Sequence, residues 1–247
     1  MAGHSKWANI KHRKAAQDAK RGKVFTKIGR ELTVAAKLGG GDPSSNSRLR
    51  LALEKARAAN MPKDNVERAI KKGTGEGGDQ NYEEITYEIY GPAGVGVLVR
   101  VLTDNRNRSI TDVRTVATKR GCTMAEAGSV SWQFDMKGVI EVDEKLANED
   151  EIMETALEHG AEDVETVDGL YIITTEPKDF EDVRSAIAEK GIEMSFAEVT
   201  MKPKSTTKVE LEDAKKIIAL VDALEDLDDV QEVYGNYDID DSLFEDL

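Results

Sequence analysis

The hydrophobic period of this chain changes once, at a stretch with four glycines in six residues, and that change restricts the fold more than any other feature. Before Gly73-Thr74-Gly75-Glu76-Gly77-Gly78, apolar residues recur every three or four positions; after it, they alternate. Phe25, Ile28, Leu32, Ala35 and Ala36 define one helical face, and Gly39-Gly40-Gly41-Asp42-Pro43 ends it with turn chemistry. Leu49, Ala52, Leu53 and Ala56 give a second helix from about Ser47. Val66, Ala69 and Ile70 give a third, which begins near Pro62 and stops at Gly73. The glycine-rich stretch itself reads as a flexible linker.

Beyond it, Ile85, Tyr87 and Ile89 alternate with polar residues, Gly91-Pro92-Ala93-Gly94 turns the chain, and Val95, Val97, Val99 and Val101 alternate again, which makes a hairpin. A helix should follow, started by Ser109-Ile110-Thr111-Asp112 and ended by Gly121, and then a third strand at Val130, Trp132 and Phe134. From about Lys137 to Lys202 the order is strand 138–142, helix 149–159, a hairpin around Asp168-Gly169, helix 179–190 and strand 192–201. This βαββαβ order is the ferredoxin-like unit, complete in itself. What remains, a helix at 210–226 and a short strand at Val230–Tyr234, is too small to bury its own apolar face. It is expected to return to the earlier hairpin. The expected class is α+β: a helical N-terminal domain at 1–78, a discontinuous α/β domain at 79–135 plus 205–240, a ferredoxin-like domain inserted at 136–204, and an acidic tail at 241–247.

Charge divides along the same line. The 247 residues carry a net −14, yet residues 1–72 hold 18 Lys and Arg against 6 Asp and Glu, while residues 73–247 hold 16 against 42. The first segment suits a polyanion and the remainder repels one. No apolar run approaches the ~20 residues of a membrane span and no signal-peptide core opens the chain, so a cytoplasmic protein without membrane association is expected. The single cysteine, Cys122, excludes an internal disulfide framework and a cysteine zinc cage.

Candidate binding residues concentrate at the start. His4, Lys6, Trp7, Lys11, His12, Arg13 and Lys14 set an aromatic ring among cations, a mixture suited to phosphate contact with base or ribose stacking. Arg13, Lys20 and Lys27 are spaced by sevens, and Lys23 and Arg30 interleave at threes and fours, so on a continuous helix these five form a stripe opposite Phe25, Ile28 and Leu32, unless Gly22 interrupts it; Arg21 is a further candidate contact. Solvated helix faces normally mix signs, whereas Asp18 and Glu31 are the only carboxylates in the first 41 residues. A weaker anion site is Thr103-Asp104-Asn105-Arg106-Asn107-Arg108, where Arg106 and Arg108 stand before a helix start; alternatively Asp104 or Asn105 merely caps, and the arginines pair with carboxylates.

Catalytic patterns fail. Gly91-x-x-Gly94-x-Gly96 lacks dinucleotide spacing, Lys72-Gly73-Thr74 is not a phosphate loop, and His4, His12 and His159 show no metal-ligand spacing. Neither a catalytic residue, a metal nor a cofactor is expected. A helix-turn-helix reading of the second and third helices is weakened by Asp64 and Glu67 on the candidate recognition helix. Structured RNA is therefore favoured over duplex DNA, and a pure protein adaptor working through the acidic domains is the third reading.

The opening Met1-Ala-Gly-His-Ser-Lys-Trp-Ala-Asn-Ile10 with Lys11-His-Arg-Lys-Ala-Ala-Gln-Asp-Ala-Lys-Arg-Gly-Lys23 resembles the YebC/PmpR family, which includes the mitochondrial translational activator of cytochrome oxidase. The likeness continues through Asn60-Met-Pro-Lys-Asp-Asn65, Tyr90-Gly-Pro92, Thr103-Asp-Asn-Arg-Asn-Arg108, Gly128-Ser-Val130, Gly160-Ala-Glu-Asp-Val164 and Asp229-Val-Gln-Glu-Val-Tyr234. It implies three domains, a cytoplasmic location and no enzymatic activity. Two roles come with it: a ribosome-associated translation factor that relieves stalling at proline-rich stretches, and a DNA-binding transcriptional regulator.

Overall fold

A computed structural model describes residues 21–75, 82–240 and 243. Among these, the chain gathers into two compact units, one of 21–130 with Lys215–Tyr234 and one of Ser131–Ala214 with the residues from Gly235.

In the first unit, helix α1 (Arg21–Gly39) runs straight through Gly22, and α2 (Ser47–Ala58) and α3 (Lys63–Gly73) pack against it. Leu32, Ala35, Leu49, Ala52, Ala56 and Ala69 form the shared core, so small residues let the three helices approach closely. Asn46 joins α1 to α2: its side-chain oxygen caps Leu49 N–H at 3.0 Å, while its amide donates to the carbonyls of Ala35 and Gly40, both at 2.8 Å. Gly73 belongs to this core more than to a linker. A Cβ there would strike the Thr33 carbonyl and sit 2.7 Å from the Ala36 Cβ, because α3 meets α1 backbone to backbone. We expect Gly73→Ala to destabilise this unit by about 1–3 kcal/mol, the usual cost of overpacking; an unchanged urea midpoint would show that the helices part easily.

The sheet of the same unit has the order β3-β1-β2-β9, built from β1 (Glu83–Tyr90), β2 (Gly96–Thr103), β3 (Thr123–Met124) and β9 (Val230–Gly235). Strands β1 and β2 pair antiparallel from Glu83↔Thr103 to Tyr90↔Gly96. Ala93 and Gly94 both take positive φ (55° and 78°) in the connecting turn. Helix α4 (Arg106–Lys119) starts three residues before the expected cap: Asn105 accepts from Arg108 N–H at 3.1 Å, which leaves Ser109 inside the helix and buried. The third strand is β3, not Val130–Phe134, and its two residues are too few to show a period. Buried Glu88 fixes the loop that follows β3, accepting from Gly128 N–H at 2.7 Å and Val130 N–H at 2.5 Å.

The second unit has the sheet order β5-β6-β4-β7, all antiparallel, from β4 (Phe134–Asp143), β5 (Ala161–Val167), β6 (Leu170–Thr175) and β7 (Phe196–Pro203). With α5 (Glu149–Glu158) and α6 (Phe180–Glu189) this is the ferredoxin-like arrangement. Gly138 allows α6 to cross the sheet, since a Cβ there would meet Thr175 and, at 2.7 Å, the Phe180 ring. The expected strand at Trp132 is instead a single 3-10 turn, Ser131–Gln133, with Trp132 66% exposed. Strand β8 (Thr207–Val209) pairs parallel with β10 (Tyr237–Ile239), and helix α7 (Leu211–Glu225) follows β8. Thus 207–214 and 235–239 sit with the ferredoxin-like unit, whereas the sequence reading groups them with the hairpin. Such short strands carry no periodicity by which to place them.

Candidate nucleic-acid interface

Of the cationic stripe, Lys23, Lys27 and Arg30 fall on described helix, and none of the three projects freely. All reach the end of α7 and the turn after it. Lys23 Nζ donates to the Asp226 carbonyl at 2.7 Å and pairs with its carboxylate at 3.4 Å; Lys27 Nζ donates to the Glu225 carbonyl at 2.6 Å; Arg30 donates to the Asp228 carbonyl. The last carbonyls of a helix lack partners and carry the negative end of its dipole, so cations satisfy both demands. Burial pushes the Lys27 ammonium below the usual lysine value, against the pull of Glu225, as befits an amine lodged at an interface.

Asp229 is the centre of this contact. It is 6% exposed, and its carboxylate meets Arg30 at 2.7 Å and Arg108 at 2.9 Å while accepting from the Thr103 hydroxyl at 2.8 Å. Arg108 also holds Asp104 at 2.8 Å. Hydrogen bonding to Asp229 and Asp104 holds the Arg108 guanidinium above its ordinary value, and Arg108 draws Asp104 below the usual carboxylate range. The second candidate site therefore resolves as a cap and an ion-pair group. Asn105 covers the helix start, Arg108 is held by carboxylates, and of the two arginines only Arg106 is exposed with no ion pair to a described residue. An open cavity of about 510 Å³ beside the group is lined by Lys23, Arg30 and Arg108 together with Asp112, Asp226 and Asp228. That mixture gives a polyanion no net attraction.

A second ionic group ties the helices to the sheet. Arg48 meets Glu31 at 2.7 Å and Glu84 at 3.2 Å; Arg100 meets Glu84 at 2.8 Å, Glu232 at 3.3 Å and Glu31 at 3.4 Å. Neither group is foreseen by spacing, since each joins residues far apart in the chain. The one available signal is the Asp229-to-Tyr234 motif that supports the family resemblance.

His4, Lys6, Trp7, Lys11, His12, Arg13, Lys14 and Lys20 lie outside the described residues, and of Arg21 only the backbone is described, as the first residue of α1. On α3, Asp64 and Glu67 are both exposed, Glu67 paired with Lys63 at 3.6 Å, and Arg68 and Lys71 are exposed as well, so the helix that would enter a DNA groove presents both signs outward. Among the described residues no three His, Cys, Asp or Glu side chains gather as metal ligands, and no helix is long and apolar enough to cross a membrane. Cys122 is buried, which pushes its thiol upward, and His159 is held through Nδ1 against the Thr155 carbonyl at 2.8 Å.

Comparison with known proteins decides the family. The sequence model of the TACO1/YebC protein N-terminal domain matches residues 5–76, and that of the TACO1/YebC second and third domain matches residues 82–237. The chain belongs to the TACO1/YebC family. The two matches meet at the glycine-rich stretch where the hydrophobic period changes. A protein of Natranaerobius thermophilus is 54% identical over 99% of both chains, and one of Treponema denticola is 55% identical over 97% of both; each is named a probable transcriptional regulatory protein. A conserved hypothetical protein from Aquifex aeolicus, known by crystal structure, shares 47% identity and a TM-score of 0.80, covering 92% of this chain and 94% of its own. A mixed helix and sheet fold of the YebC type, α+β, is thereby established.

Proposed function

We propose that this TACO1/YebC protein is a non-enzymatic, nucleic-acid-binding regulator of gene expression, and that its contact with nucleic acid is made by residues 4–21. The observation that carries this is where positive charge is left over. In α1, the cations Lys23, Lys27 and Arg30 are taken up by carbonyls and Asp229. The first 21 residues hold six Lys and Arg against Asp18 alone, with Trp7 and His12 among them. The favoured partner is structured RNA of the translation machinery, in the role of a ribosome-associated factor relieving stalling at proline-rich stretches. An aromatic ring set among cations supports RNA, because it suits unpaired bases. The names of the relatives favour a second reading, DNA-binding transcriptional control.

Competition separates the two. Replacing Lys11, Arg13, Lys14 and Lys20 by alanine should weaken binding of ribosomal RNA at least a hundredfold at physiological salt, and should reduce the slope of log affinity against log salt by about 0.7–0.9 for each phosphate no longer neutralised. Trp7→Ala should hurt RNA more than duplex DNA. If binding survives the fourfold substitution, the interface is elsewhere. If a defined promoter fragment beats random DNA by about a thousandfold and also outcompetes ribosomal RNA, the transcriptional reading holds.

A further inference from the structure

The ferredoxin-like unit has a surface that the nucleic-acid reading does not use. Residues 134–203 hold 20 Asp and Glu against 6 Lys and Arg, so this unit repels polyanions while attracting cationic chains. Within it, α5 has the sequence Glu-Asp-Glu-Ile-Met-Glu-Thr-Ala-Leu-Glu, with five carboxylates and no cation. Ile152, Thr155 and Ala156 are buried against the sheet. The two flanks of the helix differ. On one, Glu151 reaches Lys190, just beyond α6, at 3.8 Å. On the other, the Thr166 hydroxyl of β5 donates to Glu149 at 3.4 Å. Helical spacing places Met153 and Leu157, four residues apart, on the β5 flank, 38% and 49% exposed. Asp150 and Glu154 rise beside them, exposed and without an ion pair among the described residues.

We propose that the Met153–Leu157 flank of α5, together with the outer edge of β5, docks a basic amphipathic helix of a partner protein. The apolar pair supplies an anchor, and the carboxylates choose the sign of what surrounds it. Lysine or arginine placed around a Leu or Ile stripe meets both. A helix fits better than an added strand. β5 is the outermost strand, but its register shifts between Ala161 and Asp163, and Asp163 is exposed beside Glu162, whose carboxylate holds Lys137 at 2.7 Å. Bulges and like charges on an edge disfavour strand addition.

The test uses the full chain and a fluorescein-labelled 18-residue peptide with leucine at i, i+3, i+4 and i+7 and lysine or arginine elsewhere, read by anisotropy. Met153→Ser with Leu157→Ser should weaken binding about tenfold, the effect of removing both apolar anchors. Asp150→Asn with Glu154→Gln should weaken it several-fold and flatten its salt dependence. Asp182→Asn with Glu189→Gln, which removes the same charge from α6 on the far flank, should leave it unchanged. All six positions are at the surface, and circular dichroism confirms that each variant folds. Equal weakening by the α5 and α6 charge variants, no weakening by the serine pair, or equal binding of a peptide with its leucines replaced by serine would reduce the attraction to net charge and overturn the docking site. Failure of the wild type to bind the peptide at low salt overturns it equally, whatever the outcome with RNA.

Discussion

Asp229→Ala should cost the unit of α1–α4 about 3–5 kcal/mol, enough to lower its thermal midpoint by roughly 10 °C, because it leaves a desolvated arginine without its counter-ion. The side chain of Arg30 is 15% exposed and that of Asp229 8%, so although both line the open cavity, water replaces the carboxylate only in part. The Thr103 hydroxyl loses its acceptor at the same time. Asp229→Asn keeps the shape and a hydrogen bond while removing the charge, and should fall between wild type and alanine. Lys23→Ala should be mild by contrast, since Lys23 is 36% and Asp226 57% exposed at a pair separated by 3.4 Å, where an ion pair adds under about 1 kcal/mol. Urea unfolding of the three variants gives the order. If alanine at 229 and alanine at 23 cost the same, Asp229 is not the joint between α1, β2 and α4 that its contacts indicate.

That joint explains what the sequence reveals and what it conceals. Periodicity locates the helices at Ser47 and Pro62, the β1–β2 hairpin and the βαββαβ order, because each repeats a local signal over a long enough stretch to be read. It misses β3, β8 and β10, each two or three residues long and held by partners distant in the chain. The start of α4 goes to Asn105 and not to Ser109 because cap chemistry is common to Ser, Thr, Asp and Asn, and only the fold selects among candidates. The cationic stripe is the instructive case. Of its five cations, Lys23, Lys27 and Arg30 lie on the described part of α1, along one side. What those cations face depends on the end of α7, nearly two hundred residues later, and no local pattern records that meeting. Lack of acidic neighbours in sequence is not lack of acidic neighbours in space.

Glu141 gives the clearest dependence on pH. On β4 it stands opposite Ile172 of β6 and Phe196 of β7, on the face that also carries Val139, and it is 1% exposed with one carboxylate oxygen lacking a hydrogen-bond partner. Burial pushes its carboxyl from the ordinary 4.5 up to about 8. Below pH 4.5 the folded and unfolded chains both hold the proton, and the residue adds no penalty. Between 4.5 and 8 the unfolded chain releases the proton while the folded chain keeps it, so stability falls by about 1.4 kcal/mol for each pH unit crossed. Above 8 both forms ionise and the decline levels off. Glu141→Gln cannot ionise, so relative to wild type it should gain steadily from pH 5 to pH 8, reaching a few kcal/mol, and then remain constant. The difference between the two unfolding free energies cancels every other titrating group, and any fixed cost of seating an amide there shifts the whole curve without tilting it. Parallel curves from pH 5 to pH 8 would mean that the carboxyl finds water or a partner in solution and that its burial is not maintained.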